Sequence, residues 1–103
     1  MYVLTVKFQS ALPYDEVIST IEERAPDFEA LPGLIQKYYG YEEATGAYTG
    51  VYIWESEEAL RSYRESELAQ TIAAAYQATE PPRIELFNLV KTLRSQEAAV
   101  AVS

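Results

Sequence analysis

The sequence contains neither cysteine nor histidine. Without cysteine there is no disulfide and no thiolate nucleophile, and without histidine there is no His-based triad, His-ligated haem or ordinary zinc site. Any chemistry therefore has to use tyrosine, tryptophan, carboxylates, lysine, arginine, hydroxyls, amides or a borrowed cofactor. We predict that the chain itself holds no metal and no cofactor.

Positive charge is scarce, since eight lysines and arginines stand against 16 acidic residues and give a formal net charge of −8. A phosphate backbone or an anionic membrane would be repelled, so we predict neither nucleic acid nor membrane as a partner. No apolar run is long enough to cross a bilayer, and the N-terminus lacks the basic segment and apolar core of a secretory signal. We expect a cytoplasmic protein.

The length of 103 residues suits one domain, and local patterns predict the element order βαββαβ. Strands are predicted over residues 2–9, 34–42, 47–55 and 83–93. Helices are predicted from Pro13 to Pro26, which should end the first, and over 57–77 with a kink or break near Ser66. We therefore expect a single α+β domain over residues 1–94. The tail, residues 95–103, either frays or adds to a partner.

The loop between the second and third strands decides which side chains share a face. We predict a three-residue hairpin loop over 44–46, with Gly46 in the left-handed position. Counted from this loop, Tyr38 lies opposite Tyr52, and two glycines also face each other. One face is then predicted to carry Gln36, Tyr38, Gly40, Gly50, Tyr52 and Trp54. The other is predicted to carry Ile35, Lys37, Tyr39, Thr49, Val51 and Ile53.

Apolar side chains occur on both faces of the predicted strands, although two helices can cover only one face of a four-stranded sheet. The third strand has Tyr52 and Trp54 on one face and Val51 and Ile53 on the other. A large apolar face in water is unusual for a monomer, so we predict a homodimer through the sheet face. The alternative is a monomer with exposed tyrosines, which tolerate water.

Aromatic side chains on the predicted inner face lie opposite two tyrosines, Tyr63 and Tyr76, on the apolar stripe of the second helix. Together with Tyr52 and Trp54 they would form an aromatic-walled cavity between sheet and helices. Such walls with few polar groups are typical of pockets for small flat ligands. The alternative interpretation is an ordinary aromatic core.

Polar side chains near these faces allow two interpretations each. Asn88, among apolar neighbours, either bonds to a ligand carbonyl or lies at a bulge or dimer seam. Lys37 and Glu85 form either a buried acid–base pair or, as we prefer, a cross-strand surface pair. Arg64 and Arg83 are either solvated or placed at the mouth of the pocket.

Two segments, PGLIQKYY over 32–39 and GVYIWESEEAL over 50–60, resemble the YdhR-like family of putative monooxygenases, as does Pro82 before the last strand. That family belongs to the dimeric α/β-barrel superfamily. The resemblance implies a ferredoxin-like βαββαβ fold with a four-stranded antiparallel sheet. It also implies a dimer whose sheets face each other as a barrel, with a pocket between sheet and helices in each subunit.

The resemblance also suggests a mechanism. In the cofactor-independent monooxygenases of this superfamily, a tryptophan matching Trp54 lines the active site, whereas their accompanying asparagine falls at Gly50 here and is missing. The substrate reacts with oxygen as a stabilised carbanion, while the protein binds, deprotonates and shields it. In this chain Tyr38 or Tyr63 would polarise the substrate.

We therefore expect a cofactor-independent monooxygenase-like enzyme for a small aromatic or polyketide-like molecule. The predicted catalytic residues are Trp54, Tyr38 and Tyr63. The predicted substrate-binding residues are Tyr52, Gln36, Tyr76, Asn88 and Gly50. The alternatives are a non-catalytic small-molecule-binding protein of the same fold and a purely structural dimer without a cavity.

Overall fold

A computed structural model describes residues 1–94 of the chain, so the predicted tail over 95–103 lies outside the described residues. The elements are β1 (Tyr2–Phe8), α1 (Tyr14–Glu29), β2 (Leu34–Glu42), β3 (Ala47–Trp54), α2 (Glu57–Glu65), α3 (Glu67–Gln70), α4 (Ile72–Ala75) and β4 (Arg83–Asn88). The strands form one antiparallel sheet in the order β2-β3-β1-β4. The predicted ferredoxin-like α+β fold is confirmed. None of the helices in this part of the chain has the length and apolarity to cross a membrane.

Helix α1 begins after Pro13, has acidic residues in its first turn and continues to Glu29. The prediction that Pro26 ends this helix is wrong. Proline removes one backbone N–H from the last turn, but Pro26 and Glu22, whose carbonyl loses that bond, are both exposed to water. The last turn is held by Phe28, which is 4% exposed, and by the Ala30 N–H donating to the Pro26 carbonyl at 3.2 Å.

The second helical region is divided into three pieces, α2, α3 and α4. Ser56 caps α2 by accepting a hydrogen bond from the Ala59 N–H at 3.1 Å. Ser66 has an extended backbone and accepts from the Ala69 N–H at 3.3 Å, so one serine ends α2 and caps α3. The predicted break near Ser66 is confirmed. Strand β4 ends at Asn88, earlier than predicted, shortly before the Leu89 N–H donates to the Met1 carbonyl.

The β2–β3 loop has four residues, 43–46, because Glu42 rather than Glu43 pairs with Ala47. The Glu42 carbonyl accepts hydrogen bonds from the N–H groups of Thr45 and Gly46, at 3.3 and 2.8 Å. Gly46 has φ +76°, as predicted. The predicted three-residue loop, and with it the register, is therefore wrong by one residue.

A shift of one residue exchanges the two faces of β2, because side chains alternate along a strand. Lys37 pairs with Tyr52 and Tyr39 with Gly50, so Lys37 and Tyr39 face the helices. Tyr38 pairs with Val51 on the outer face. The predicted pairs Tyr38–Tyr52 and Gly40–Gly50 do not form, since Gly40 pairs with Thr49.

The hydrophobic core lies between the inner face of the sheet and the helices. Its buried members include Leu4, Val6, Val17, Phe28, Tyr48, Tyr52, Trp54, Leu60, Tyr63, Ile72 and Tyr76. On the outer face, Val3, Val51 and Ile53 are half-buried, and Phe87 is half-exposed. Both faces are thus apolar, as the sequence predicts, and the outer one is not covered by the described helices.

Candidate ligand cavity between sheet and helices

A small cavity lies between the inner face of the sheet and the helices; it opens to solvent, and its interior has a volume of about 20 Å³, room for about one water molecule. Six aromatic side chains line it, among them Phe28 from α1, Tyr48 and Tyr52 from β3, and Tyr76 after α4. The amine of Lys37 and the hydroxyl of Tyr39 come from β2 and supply polar atoms. Ring faces with a few polar groups are typical of sites for small aromatic ligands, although such sites are larger than this cavity.

Lys37 is the feature of this cavity that the predicted site lacks. Its Nζ lies 3.2 Å from the centroid of the Phe28 ring, and 4.4 Å from the ring centroids of Tyr39 and Tyr52. Burial, followed by the positive charge of Arg24, lowers the pKa of Lys37 to about 7. The three ring faces favour the ammonium and oppose this shift. At pH 7 the neutral amine and the ammonium form of Lys37 are therefore both populated.

A second cation, Arg24 of α1, also lies near the Phe28 ring. Its guanidinium carbon is 5.9 Å from the ring centroid of Phe28 and 6.0 Å from that of Tyr76. One nitrogen donates to the Leu68 carbonyl at 2.7 Å and another to Thr71 Oγ1 at 3.4 Å, which anchors α1 to the α3 segment. The Nε atom is buried without a hydrogen-bond partner among residues 1–94.

Neither cation has an acidic partner in the part of the chain that the structure describes. The ion pairs there are Lys7–Glu42, Glu57–Arg61 and Arg83–Glu85. Within the same residues, no three acidic side chains come together as a group that could hold a metal ion. Lys37 in the wall of the cavity and Arg24 near it therefore have no neutralising carboxylate among residues 1–94, in a chain of net charge −8.

The tyrosines around the cavity remain protonated at neutral pH. Burial is the main cause that raises the pKa of Tyr39 to about 12 and raises the pKa values of Tyr52, Tyr63 and Tyr76. The Tyr63 hydroxyl donates to the Tyr52 hydroxyl at 3.2 Å. These groups can donate hydrogen bonds to a ligand oxygen, but none of them is a base at neutral pH.

Trp54 lies behind the cavity rather than in its wall. It is 0% exposed, and its ring stacks on Tyr52 and Tyr63 at centroid distances of 6.3 and 5.1 Å. Its Nε1 is buried with no hydrogen-bond partner among the described residues. Trp54 also lies beneath a separate surface cleft between the start of β2 and α2, which includes Gly33 and Ser62.

The structure brings together part of the predicted site. Tyr52, Tyr76 and Gly50 line the cavity, with Tyr63 and Trp54 packed behind Tyr52.

The other three predicted site residues lie elsewhere. The predicted inner-face position of Tyr38 is wrong, because it lies on the outer face and is 50% exposed. Gln36 lies at a bulge after Leu34, where its Oε1 accepts from the Lys37 N–H at 3.0 Å. Asn88 is exposed at the end of the edge strand β4, opposite Tyr2.

The sequence interpretation placed Lys37 on the wrong face and preferred a pair between Lys37 and Glu85. That pair is excluded because β2 and β4 are opposite edges of the sheet, and Glu85 lies near Arg83 instead. Arg24 and Phe28 were also missed. A signal for Lys37 was present, since a four-residue loop would have placed Lys37 and Tyr39 on the face of Tyr52.

Gly50 explains how Tyr52 reaches its position. A Cβ at Gly50 would lie 3.0 Å from Tyr52 Cε1, so the ring of Tyr52 occupies the space that a side chain would need. The group that approaches this glycine closely is a neighbouring side chain on the same strand.

Comparisons with known proteins agree with this fold. The profile of the family described as "Putative mono-oxygenase ydhR" matches residues 3–100. SnoaB from Streptomyces nogalater, described as a cofactor-independent oxygenase, superposes with a TM-score of 0.73 at 20% identity, covering 91% of this chain and 97% of that one. A putative antibiotic biosynthesis monooxygenase from Caulobacter crescentus gives 0.73 at 16% identity, covering 87% and 90%.

Rv0793 from Mycobacterium tuberculosis gives a TM-score of 0.71 at 13% identity and covers 90% of this chain and 98% of that one. A comparison of the sequence with curated proteins finds no significant match. At these identities the solved structures show a shared fold, whereas the profile match over nearly the whole chain shows the family.

Proposed function

Because the chain belongs to the ydhR family of putative mono-oxygenases, we propose that it is a cofactor-independent monooxygenase-like enzyme. Its substrate is a small aromatic or polyketide-like molecule held in the cavity between sheet and helices. The observation that carries the proposal is the cavity itself, which combines ring faces, protonated tyrosine hydroxyls and a lysine amine without an acidic partner in residues 1–94.

In this proposal the side chains of the cavity bind, orient and shield the substrate. Phe28 and Tyr76 contact the flat faces of the molecule, and the hydroxyls of Tyr39 and Tyr52 donate hydrogen bonds to its oxygen atoms. Hydrogen bonds to an oxygen that gains negative charge stabilise the substrate anion. That anion reacts with dioxygen in a space from which the helices exclude most water. SnoaB, a cofactor-independent oxygenase with the same fold, supports this choice of chemistry.

The test is oxygen consumption by the pure protein with anthrones and electron-rich phenols, before and after treatment with a metal chelator. We expect uptake above the buffer rate that the chelator leaves unchanged. Tyr52→Phe should reduce the rate about 10- to 100-fold through loss of one donor to the developing anion. The matched control is Tyr38→Phe on the outer face, which should retain the rate. No uptake above buffer with any of these substrates would contradict the proposal.

A second candidate is a small-molecule-binding protein of the same fold without catalysis. It is favoured by the complete burial of Trp54, which keeps the indole out of the cavity. It is also favoured by Gly50, which stands where the resemblance implies an asparagine. This candidate predicts that phenols raise the melting temperature without oxygen uptake or product, so a thermal-shift series with product analysis separates the two.

We also propose that two copies associate through the outer face of the sheet. Ile53, Val3 and Phe87 follow one another across β3, β1 and β4 and form an apolar row. Light scattering should give twice the 11.6 kDa of one chain. Ile53→Glu should give a monomer, whereas Glu58→Lys on the exposed side of α2 should remain a dimer. A mass near 11.6 kDa for the unaltered protein would overturn this.

A further inference from the structure

We propose that Lys37 is the proton acceptor of the cavity, and that its ligand is a hydroxylated aromatic of weak acidity, bound as its anion beside Lys37. A phenol and a cyclic enol are the two members of this class, because each carries an acidic O–H on a flat ring. The inference rests on the proposed function for what happens to the anion afterwards, but not for the binding and proton transfer.

The position of the Lys37 amine makes it accessible to a ligand. Lys37 lines the cavity and also the adjoining groove, which contains Ala25, Glu29 and Gln36. The amine thus lies where the groove and the cavity meet, against the face of Phe28 at 3.2 Å. A ring that enters from the groove would pass the amine before it reaches Tyr52.

The charges around Lys37 favour an anion. The titratable or charged groups near it are Arg24 and Glu29 from α1, Tyr39 from β2, Tyr52 from β3, Tyr63 from α2 and Tyr76 after α4. Of these groups only Glu29 has a carboxyl group, and it is exposed and forms no ion pair with Lys37. A ligand anion would supply the negative charge that both cations lack.

The alternatives for a base in this cavity are few. The tyrosines hold their protons because burial raises their pKa values, and the side chains lining the cavity include no carboxylate. Burial and the charge of Arg24 bring the pKa of Lys37 to about 7, close to the value at which a base works best at neutral pH. Lys37 is therefore the cavity-lining group able to accept a proton there.

The proton transfer conserves atoms and charge. The lone pair of the neutral Lys37 amine takes the proton of the ligand O–H, so an N–H bond forms and the O–H bond electrons stay on the ligand oxygen. The products are an ammonium and an aryloxide or enolate. The ring faces of Phe28, Tyr39 and Tyr52 stabilise the ammonium, and the guanidinium of Arg24 adds attraction for the anion.

The experiment uses a nitrophenol, because its anion absorbs at longer wavelength than its neutral form. Difference spectra would be recorded on the whole protein at a pH just above the pKa of Lys37, with a nitrophenol whose own pKa lies about one unit higher than that pH. We expect bound phenol to appear as the anion, and Lys37→Met to lose that band and bind at least 10-fold more weakly. Lys7→Met is the matched control, since Lys7 is exposed and paired with Glu42, and it should give the wild-type band.

A second measurement keeps the inference testable if Lys37→Met fails to fold. The chain has three lysines, Lys7, Lys37 and Lys91, so NMR titration of protein labelled with ¹³C-lysine gives three resolved curves. The curve of Lys37 should have a midpoint more than two units below the 10.5 of a free lysine, and the nitrophenol should move that midpoint upward. The absence of any such lowered midpoint, or a phenol that binds only in its neutral form, would overturn the inference.

The outcomes also separate this inference from the proposed function. A Lys37-dependent anion band without oxygen uptake would leave the proton acceptor in place and remove the oxygenase proposal. Oxygen uptake that Lys37→Met leaves unchanged would keep the oxygenase proposal and rule out Lys37 as the proton acceptor.

Discussion

The layer between sheet and helices has two ends of similar composition but different structure. At the closed end, Trp54, Tyr52 and Tyr63 pack ring on ring and are at most 3% exposed. At the open end, Tyr39 is 41% exposed and the amine of Lys37 reaches over the Phe28 ring. The number of aromatic residues alone therefore does not decide whether such a layer is closely packed or open to solvent. The difference arises because Lys37 and Gly50 occupy positions at the open end where bulky rings would fill the space.

The two ends should respond differently to substitution. Truncating a ring in the closed end leaves a void that its close-packed neighbours cannot fill. Removing the amine from the open end removes a charge that the fold holds partly out of water. Large losses of stability should therefore come from the closed end and losses of ligand binding from the open end.

Trp54→Ala should give the largest effect. The indole is completely buried between two rings, so its loss should cost about 3–5 kcal/mol of the free energy of unfolding. Trp54→Phe keeps a ring and should cost less. Urea denaturation monitored by circular dichroism measures both, and Val90→Ala, at a position that is 95% exposed, is the control expected to change nothing. A loss below about 1 kcal/mol for Trp54→Ala would show that the closed end is not closely packed.

Lys37→Met should act in the opposite direction and stabilise the protein near pH 7. The pKa of Lys37 is about 7 in the folded chain against the model value of 10.5. The unfolded chain therefore binds more protons between these values, and the stability of the unaltered protein rises with pH across this window. Below pH 7 Lys37 is protonated in both the folded and the unfolded chain, so the folded chain bears the full cost of burying the charge.

The expected gain for Lys37→Met is about 2 kcal/mol at pH 7, because the aromatic faces offset part of the cost of burying the charge. The gain should shrink as the pH rises to 9, where tyrosines are still protonated in both states. Denaturation of both proteins at several pH values measures this. A difference independent of pH would contradict the lowered pKa of Lys37.

The sequence predicts the element order, the sheet and the break at Ser66, since each has a local signal in alternation, helical spacing or capping. It does not fix the length of the β2–β3 loop. Thr45 and Gly46 are compatible with three- and four-residue loops, and the hydrogen bonds to the Glu42 carbonyl decide between them. That single residue decides which face carries Lys37 and which carries Tyr38.

Long-range packing explains the other differences. The helical turn after Pro26 forms because Phe28 is buried against Tyr52 and Tyr63, a contact that no local rule indicates. Arg24 likewise comes near the rings of Phe28 and Tyr76 because α3 offers the Leu68 carbonyl to its guanidinium. The aromatic members of the site follow from strand and helix periodicity, whereas its cations depend on register and on helix docking.

Gly50→Ala tests the boundary between the two ends. The added Cβ would lie 3.0 Å from Tyr52 Cε1, so the ring has to move by a few tenths of an ångström toward the cavity or Trp54. We expect a loss of about 1–2 kcal/mol from this overpacking, together with weaker nitrophenol binding. The control is Gly46→Ala, whose added Cβ would lie 4.0 Å from Gln9 Oε1 and far from the cavity; it should leave binding unchanged while its positive φ costs about 1 kcal/mol.

Tyr63→Phe should have the smallest effect and shows how far the two ends are coupled. It keeps the ring that stacks on Trp54 but removes the hydroxyl that donates to Tyr52 at 3.2 Å. The expected loss is about 1 kcal/mol in urea denaturation, whereas Tyr41→Phe at an exposed position should cost almost nothing. Tyr52 then loses a partner on its closed side, so its hydroxyl is freer to turn toward a ligand. If Tyr63→Phe leaves nitrophenol binding unchanged, the closed end supports the cavity through packing alone.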